Sequence, residues 1–237
     1  QPMTRKYNGK RATIAYNGEI YNTDQLKNKL AAYDIDLRTT SDTEIILYCY
    51  LVFGPKIFKE LNGIFAFAIY ENNKLTIVRD HVGVKPLFYY FDGSQFVFSS
   101  EIKGIFAYGI TPRLNKSSWC EIIGLGPAHT PGNGVFENIH EVLSGHYLTI
   151  NLTPDKKIIL EDYCYWKLRS KIHKDDYNAT VMHTNFLIED SIKNQMVSDI
   201  PICTFLSGGL DSSLVSSIVS KHLGEKSLAT YSFDFVD

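Results

Sequence analysis

Residues 202–213, ICTFLSGGLDSS, limit most sharply what this chain can fold into. Ile202, Cys203, Thr204, Phe205 and Leu206 form a short apolar run of the kind buried in a parallel sheet. Ser207, Gly208 and Gly209 break that run. Residues 211–223 then read as a helix, with Leu214, Val215, Ile218, Val219 and Leu223 able to pack on the sheet. A strand, a glycine-rich turn and a helix, in that order, aim free backbone N–H groups at an anion. The two glycines permit close approach of a ligand, and Ser207, Ser212 and Ser213 add hydroxyl donors. The loop is not a Walker A motif, because it lacks the six-residue frame and the closing Lys-Ser/Thr pair.

With 237 residues the chain can hold one large domain or two small ones. A net charge of −2 without Lys/Arg runs gives no footprint for nucleic acid or a membrane surface. No stretch has transmembrane length and no signal peptide is visible. Cys49, Cys120, Cys164 and Cys203 are too scattered for a disulfide framework or a zinc site. A reducing compartment, the cytoplasm, is expected. Residues 227–236 read as a second strand after the helix, and one strand–helix–strand unit cannot cover both faces of a nucleotide-binding sheet. The chain is therefore expected to be a fragment.

Earlier in the chain the pattern is richer in strands. Residues 12–16 read as a strand that runs into NGEIYN (17–22), and residues 23–32 as a helix with Leu26 and Leu30 on one face. Ser41 followed by Glu44 predicts a capping box at the start of the next helix, which Gly54-Pro55 ends. Residues 63–70 and 75–78 read as a hairpin around Asn72-Asn73, and 87–91 and 95–98 as another around Asp92-Gly93. RDHVGVKP between them is a loop, with Arg79 and Asp80 expected to form a local ion pair or brace. The first part is thus a layered α+β domain. Tyr177, Val181, Ile188, Ile192 and Met196 recur at helical spacing further on.

NGEIYN and TSDTE form a second constellation. Asn-Gly after a strand is ordinary hairpin chemistry, yet here a helix follows. The Asn17 amide and the Gly18 backbone N–H can form an oxyanion hole, worth roughly 3 kcal/mol per donor when charge develops on a carbonyl oxygen. Glu19 and Asp42 are acceptors able to hold an α-ammonium group, although Asp42 can also serve as a helix cap.

SGGLDSS resembles the pyrophosphate loop of the PP-loop ATP pyrophosphatases. Together with NGEIYN, TSDTE, GIFAFAIY (63–70), RDHVGVKPLFYY (79–90) and FSSEIKGI (98–105), it makes the whole chain resemble the glutamine-hydrolysing asparagine synthetases, and GPAHTPGNGVFENIHEVLSGHYL (126–148) and SDIPICTFLSGG (198–209) resemble the bacterial type. The resemblance implies an α+β fold: a class II, Ntn-type glutaminase αββα sandwich lacking its N-terminal strands, followed by the start of an α/β PP-loop domain. The expected division is 1–165 for the glutaminase, 166–199 for a connecting segment with a helix, and 200–237 for the synthetase start. By position it implies oxyanion roles for Asn17 and Gly18 and glutamine binding by Glu19 and Asp42. Leu206, Ser207, Gly208, Gly209, Asp211, Ser212 and Phe233 are implied at the ATP and pyrophosphate site, with Asp211 on Mg2+. Glutamine, aspartate and ATP are the implied substrates, and a homodimer the implied assembly. Ammonia from glutamine would amidate aspartate activated as β-aspartyl-AMP, releasing AMP and pyrophosphate.

One departure stands out. The family's nucleophile is a leading Cys, and this chain starts at Gln1. Cys49 and Cys203 fall in expected core elements, where cysteine is a small buried hydrophobe, and Cys120 and Cys164 have no motif nearby. The polypeptide as given is therefore expected to lack glutaminase activity. Two alternatives stay open: a relative acting on another carboxylate, and a homologue with a degenerate glutaminase.

Overall fold

The computed structural model describes residues 1–126, 130–198, 200–224 and 227–234. The chain separates into two compact units, Gln1–Arg169 and Ser170–Asp237. The end of the strand expected over 227–236 and part of the segment around 127–129 lie outside the described residues.

The first unit begins with β1 (Met3–Tyr7) and β2 (Lys10–Ile20), then α1 (Thr23–Leu30) and α2 (Asp42–Phe53). Strands β3 (Gly63–Glu71), β4 (Lys74–Arg79), β5 (Phe88–Phe91) and β6 (Phe96–Ser99) follow. Helices α3 (Ile102–Ala107) and α4 (Lys116–Leu125) lead to β7 (Ile139–Glu141), β8 (His146–Leu152) and β9 (Ile158–Cys164). Six strands pair antiparallel in the order β1-β2-β3-β4-β8-β9, and β6-β5-β7 make a second antiparallel sheet.

Alternation along β3 explains the layering. Phe65, Phe67 and Ile69 turn one way, into a core with Ile14, Ile20, Leu26, Ile46 and Phe58 from β2, the helices and the turn after α2. Ala66 and Ala68 turn the other way, into a cluster with Tyr89 and Phe96 of the second sheet and with Leu87 and Val142, which flank its strands. Small residues there let the two sheets approach. Each fully buried Phe contributes about 2 kcal/mol of transfer free energy, so both faces of β3 are committed to the interior. Helix α3 packs on β5 and β6 through the fully buried Ile105, which completes an α, β, β, α stack.

Both expected hairpins form. Asn72 and Asn73 take φ of 49° and 62°, the paired left-handed turn that suits strand twist. Asp92 Oδ1 accepts from the Ser94 and Gln95 amides at 2.8 and 2.9 Å.

The capping box is only half made. Ser41 Oγ accepts from the Thr43 amide at 3.3 Å, but the Glu44 side chain does not turn back to Ser41. It is fully buried and takes Arg5 Nε at 2.6 Å on one oxygen and Thr39 N and Oγ1, each at 2.7 Å, on the other. A guanidinium brought in by β1 outcompetes a single backbone amide for a buried carboxylate. Of the two roles expected for Arg79 and Asp80, the brace is made and the mutual ion pair is not found among the described residues: both bind the loop backbone, and Arg79 Nη1 lies 2.7 Å from Glu141 Oε1.

The second unit holds α5 (Tyr177–Asn194), β10 (Cys203–Phe205), α6 (Leu210–Leu223) and β11 (Ala229–Tyr231). β10 and β11 pair in parallel, with α6 between them in sequence. Thr204 Oγ1 meets Ser216 Oγ of α6 at 2.8 Å, so Cys203 and Phe205 point to the opposite face and are exposed. The core position expected for Cys203 is thereby corrected. The helix buries Ser216, Ile218 and Val219, while Leu214 and Val215 stay exposed. Among the described residues no helix is long and apolar enough to cross a membrane.

Candidate active site

The expected turn at Asn17-Gly18 is a strand. β2 runs on to Ile20 and pairs with β3 over eight residues, with Asn17 opposite Ala66, Gly18 opposite Phe65 and Glu19 opposite Ile64. Gly18 is needed for close approach: a Cβ there would run into the Ile64 carbonyl oxygen and stand 2.7 Å from Phe65 Cα. The missing side chain therefore seats β3 behind the strand and does not serve to bare the Gly18 N–H.

That N–H is open for another reason. β1 covers β2 only as far as Ile14, which pairs with Met3. Beyond it, Tyr16 N donates to Gln1 Oε1 at 2.6 Å and Ile20 N donates to Asp42 Oδ2 at 3.2 Å. Alternate amides of a strand face the same side, so the Gly18 amide lies on this edge between those two, with no partner among the described residues. Asn17 and Glu19 belong to the face of Ala15 and Ala66. There a cavity of about 190 Å3 is lined by Asn17, Ala66, Leu87, Phe98, Ser99 and Gln1, among others.

Asp42 opens α2 and sits on the helix side. Besides the Ile20 amide, its Oδ2 accepts the Tyr16 hydroxyl at 2.7 Å. Burial, followed by the Asp42 carboxylate, pushes the Tyr16 phenol far above its usual 10, so the hydroxyl stays protonated and donates. The fold thus sets Asn17, Gly18 and Glu19 at the end of β2, with Asp42 bonded to that strand end from the helix side. The sequence reading missed Tyr16, although its place two residues before Gly18, on the face shared with Ile14 and Ile20, was there to be read.

The loop after β4 secures this strand end from behind. Asp80 is fully buried and accepts from the amides of Phe65, Val82, Val84 and Lys85 at 3.3, 3.1, 3.0 and 2.9 Å. Arg79 donates to the carbonyls of Lys85, Val142 and Gly83 at 2.9, 2.7 and 2.9 Å. His81 stands edge-on to the rings of Phe65, Tyr165 and Trp166, and burial pushes its imidazole below the usual 6.5. It packs the loop and does not line the cavity beside Asn17.

In the second unit, Ser207, Gly208 and Gly209 turn the chain from β10 into α6, with Gly208 at φ 80°. Ser212 Oγ faces Ser207 N at 3.2 Å and Ser207 Oγ at 3.0 Å, tying the loop to the first helical turn. The amides of Leu210, Asp211 and Ser212 have no intrahelical partner by position. Leu206, Ser207 and Phe233 line one cavity of about 220 Å3 with Phe205, Tyr231 and Ser232. Phe205 and Phe233 stack at 5.9 Å, and Leu206 N donates to Tyr231 O at 2.9 Å. Asp211 is exposed in the first turn of α6. Among the described residues no group of three or more His, Cys, Asp or Glu could hold a metal ion by itself.

None of the four cysteines lines the cavity beside Asn17. Cys49 is buried, which pushes its thiol up to about 12 and leaves it protonated. Cys120, Cys164 and Cys203 are exposed.

Residues 183–237 match the asparagine synthase family. The chain is 44% identical over 241 aligned residues to asparagine synthetase [glutamine-hydrolyzing] 3 of Bacillus subtilis (strain 168), covering 99% of this chain and 38% of the relative. Asparagine synthetase [glutamine-hydrolyzing] 2 of the same organism is 34% identical, over 88% of this chain and 29% of the relative. The chain thus spans well under half the length of these curated relatives. A solved structure of the allosteric regulatory enzyme of purine biosynthesis superposes with a TM-score of 0.51 at 23% identity, covering 70% of this chain and 31% of that one, a likeness of fold alone. Residues 1–166 match the glutamine amidotransferase domain, and with that match over most of its length the chain belongs to the glutamine amidotransferase family.

Proposed function

We propose that the chain is part of a glutamine-hydrolysing asparagine synthetase, in which ammonia released from glutamine amidates aspartate activated by ATP. The observation that carries the reading is the Gly18 amide, on a strand edge next to the cavity-lining Asn17, in one polypeptide with the first-turn amides of α6 that have no intrahelical partner. The first can stabilise an oxyanion derived from an amide and the second can cradle a pyrophosphate.

In this reading the Asn17 side-chain amide and the Gly18 N–H stabilise the tetrahedral oxyanion, while Glu19 and Asp42 hold the α-ammonium of glutamine. Ser207, Gly208, Gly209 and Ser212 hold the pyrophosphate, with Leu206 and Phe233 beside the nucleotide. Asp211, exposed in the first turn of α6, would hold Mg2+ together with phosphate oxygens, and the ion would neutralise phosphate charge. The nucleophile is none of Cys49, Cys120, Cys164 and Cys203. Residues 1–165 form the glutaminase, 166–199 connect, and 200–237 open the synthetase domain, in a cytoplasmic homodimer.

The test supplies full-length protein with Mg-ATP, glutamine and a panel of carboxylates, and follows nucleotide, glutamate and amide together. AMP, glutamate and asparagine formed in step, with aspartate preferred, support the reading. Amide formation on a different carboxylate removes aspartate from it, and no nucleotide turnover with any carboxylate removes the synthetase.

A further inference from the structure

The placement of Asp42 is unusual for an aspartate at a helix start. Such a side chain commonly turns back on the first-turn amides. Here Ser41 takes that role through its bond from Thr43 N, which releases the Asp42 carboxylate to reach across to β2. Both of its bonds there, from Tyr16 Oη at 2.7 Å and Ile20 N at 3.2 Å, fall on Oδ2. Oδ1 takes no hydrogen bond among the described residues, and the side chain is only partly buried.

Two donors on one oxygen fix the rotamer of a carboxylate and leave the other oxygen aimed. The hydroxyl bond is the shorter of the two and is charge-assisted, the stronger kind. Its donor is itself constrained, since the Tyr16 ring lies 6.4 Å from Phe67 on the core face of β2. Tyr16 also directly precedes Asn17 and Gly18, so one strand sets both the oxyanion donors and the aim of the carboxylate.

We propose that Tyr16 is the positioning residue for Asp42, fixing the oxygen that receives the α-ammonium of glutamine and so selecting substrates that carry that group. This rests on the reading of Asp42 as a glutamine-binding residue. In this reading the Tyr16 hydroxyl, committed to Asp42, acts through that carboxylate, so its loss weakens binding and spares turnover.

The experiment measures hydrolysis of glutamine and of 4-carbamoylbutanoate, the same amide without the α-amino group, by full-length protein. Tyr16→Phe, Asp42→Asn and the double variant are compared with wild type. Tyr16→Phe is expected to raise KM for glutamine roughly tenfold with kcat within about twofold, the scale of one hydrogen bond to a charged group. KM for the deamino amide stays unchanged, and Tyr16→Phe adds nothing in the Asp42→Asn background. If Asp42→Asn leaves the preference for glutamine intact, the reading of Asp42 fails and Tyr16 goes with it. If Asp42→Asn abolishes the preference while Tyr16→Phe keeps it, only the role of Tyr16 is overturned. Equal losses on both amides, or a fall in kcat alone, assign Tyr16 to packing and overturn the proposal as well.

Discussion

Gly18 lies directly opposite Phe65 in the β2–β3 pair, with no room for a Cβ between the two strands. The nearest obstacles are backbone atoms, which cannot swing aside as a side-chain tip would. Gly18→Ala must therefore part the strands at the point where the Gly18 amide is presented. The substitution is expected to cost about 2 kcal/mol or more and to lower glutamine hydrolysis together with stability. Thermal unfolding and glutaminase assays of full-length protein check this, and an unchanged midpoint contradicts it.

Arg79 spreads its guanidinium over three carbonyls and Glu141. A lysine keeps the charge but cannot reproduce the fork. Arg79→Lys is expected to destabilise nearly as much as Arg79→Met, each by about 3 kcal/mol, because buried acceptors are left unpaired. Denaturant unfolding distinguishes the cases, and recovery of most of the stability by lysine would show that charge alone holds the loop.

Burial pushes the Glu44 carboxyl up, but the bonds from Arg5, Thr39 and Arg38 outweigh it and set its pKa below the usual 4.5. With a depressed folded value, this stabilisation is present above about pH 4.5 and is lost as pH falls through the folded pKa. Glu44→Gln is thus expected to be less stable than wild type at neutral pH, with the gap narrowing in acid. A gap that stays constant from pH 7 to about pH 3 contradicts the assignment.

Ser212 joins the glycine turn to the first turn of α6 through Ser207. Ser212→Ala is expected to raise the KM for ATP roughly tenfold and to leave glutamine hydrolysis unchanged, because the hydroxyl belongs to the second unit alone. Steady-state kinetics with glutamine and with ATP separate the two effects. An unaltered ATP dependence removes Ser212 from the nucleotide site.

Local chemistry made much of this architecture readable. The β3–β4 hairpin announced itself through bulky Phe65, Phe67 and Ile69 alternating with small Ala66 and Ala68, and through Asn72-Asn73 at the turn. Leu26 and Leu30 likewise marked the buried face of α1. What stayed hidden depends on partners distant in sequence. Asn17-Gly18 has the chemistry of a turn, and only pairing with Phe65 and Ala66 holds it extended. Glu44 has the spacing of a capping box, yet Arg5, thirty-nine residues earlier, claims it. Cys203 looked like a core residue because an apolar run does not reveal which of its two faces is covered. The candidate site followed the same rule: Asn17, Gly18, Glu19 and Asp42 were named from motifs, whereas Tyr16, which links them, carries no motif of its own.

The central claim is that this strand edge stabilises an oxyanion formed from glutamine. Steady-state glutamine hydrolysis by full-length Asn17→Ala tests it most directly, since the side chain faces a cavity and supports no core. The account predicts a kcat lower by about 100-fold or more, with KM for glutamine within a few-fold of wild type. Wild-type turnover in that variant would contradict it.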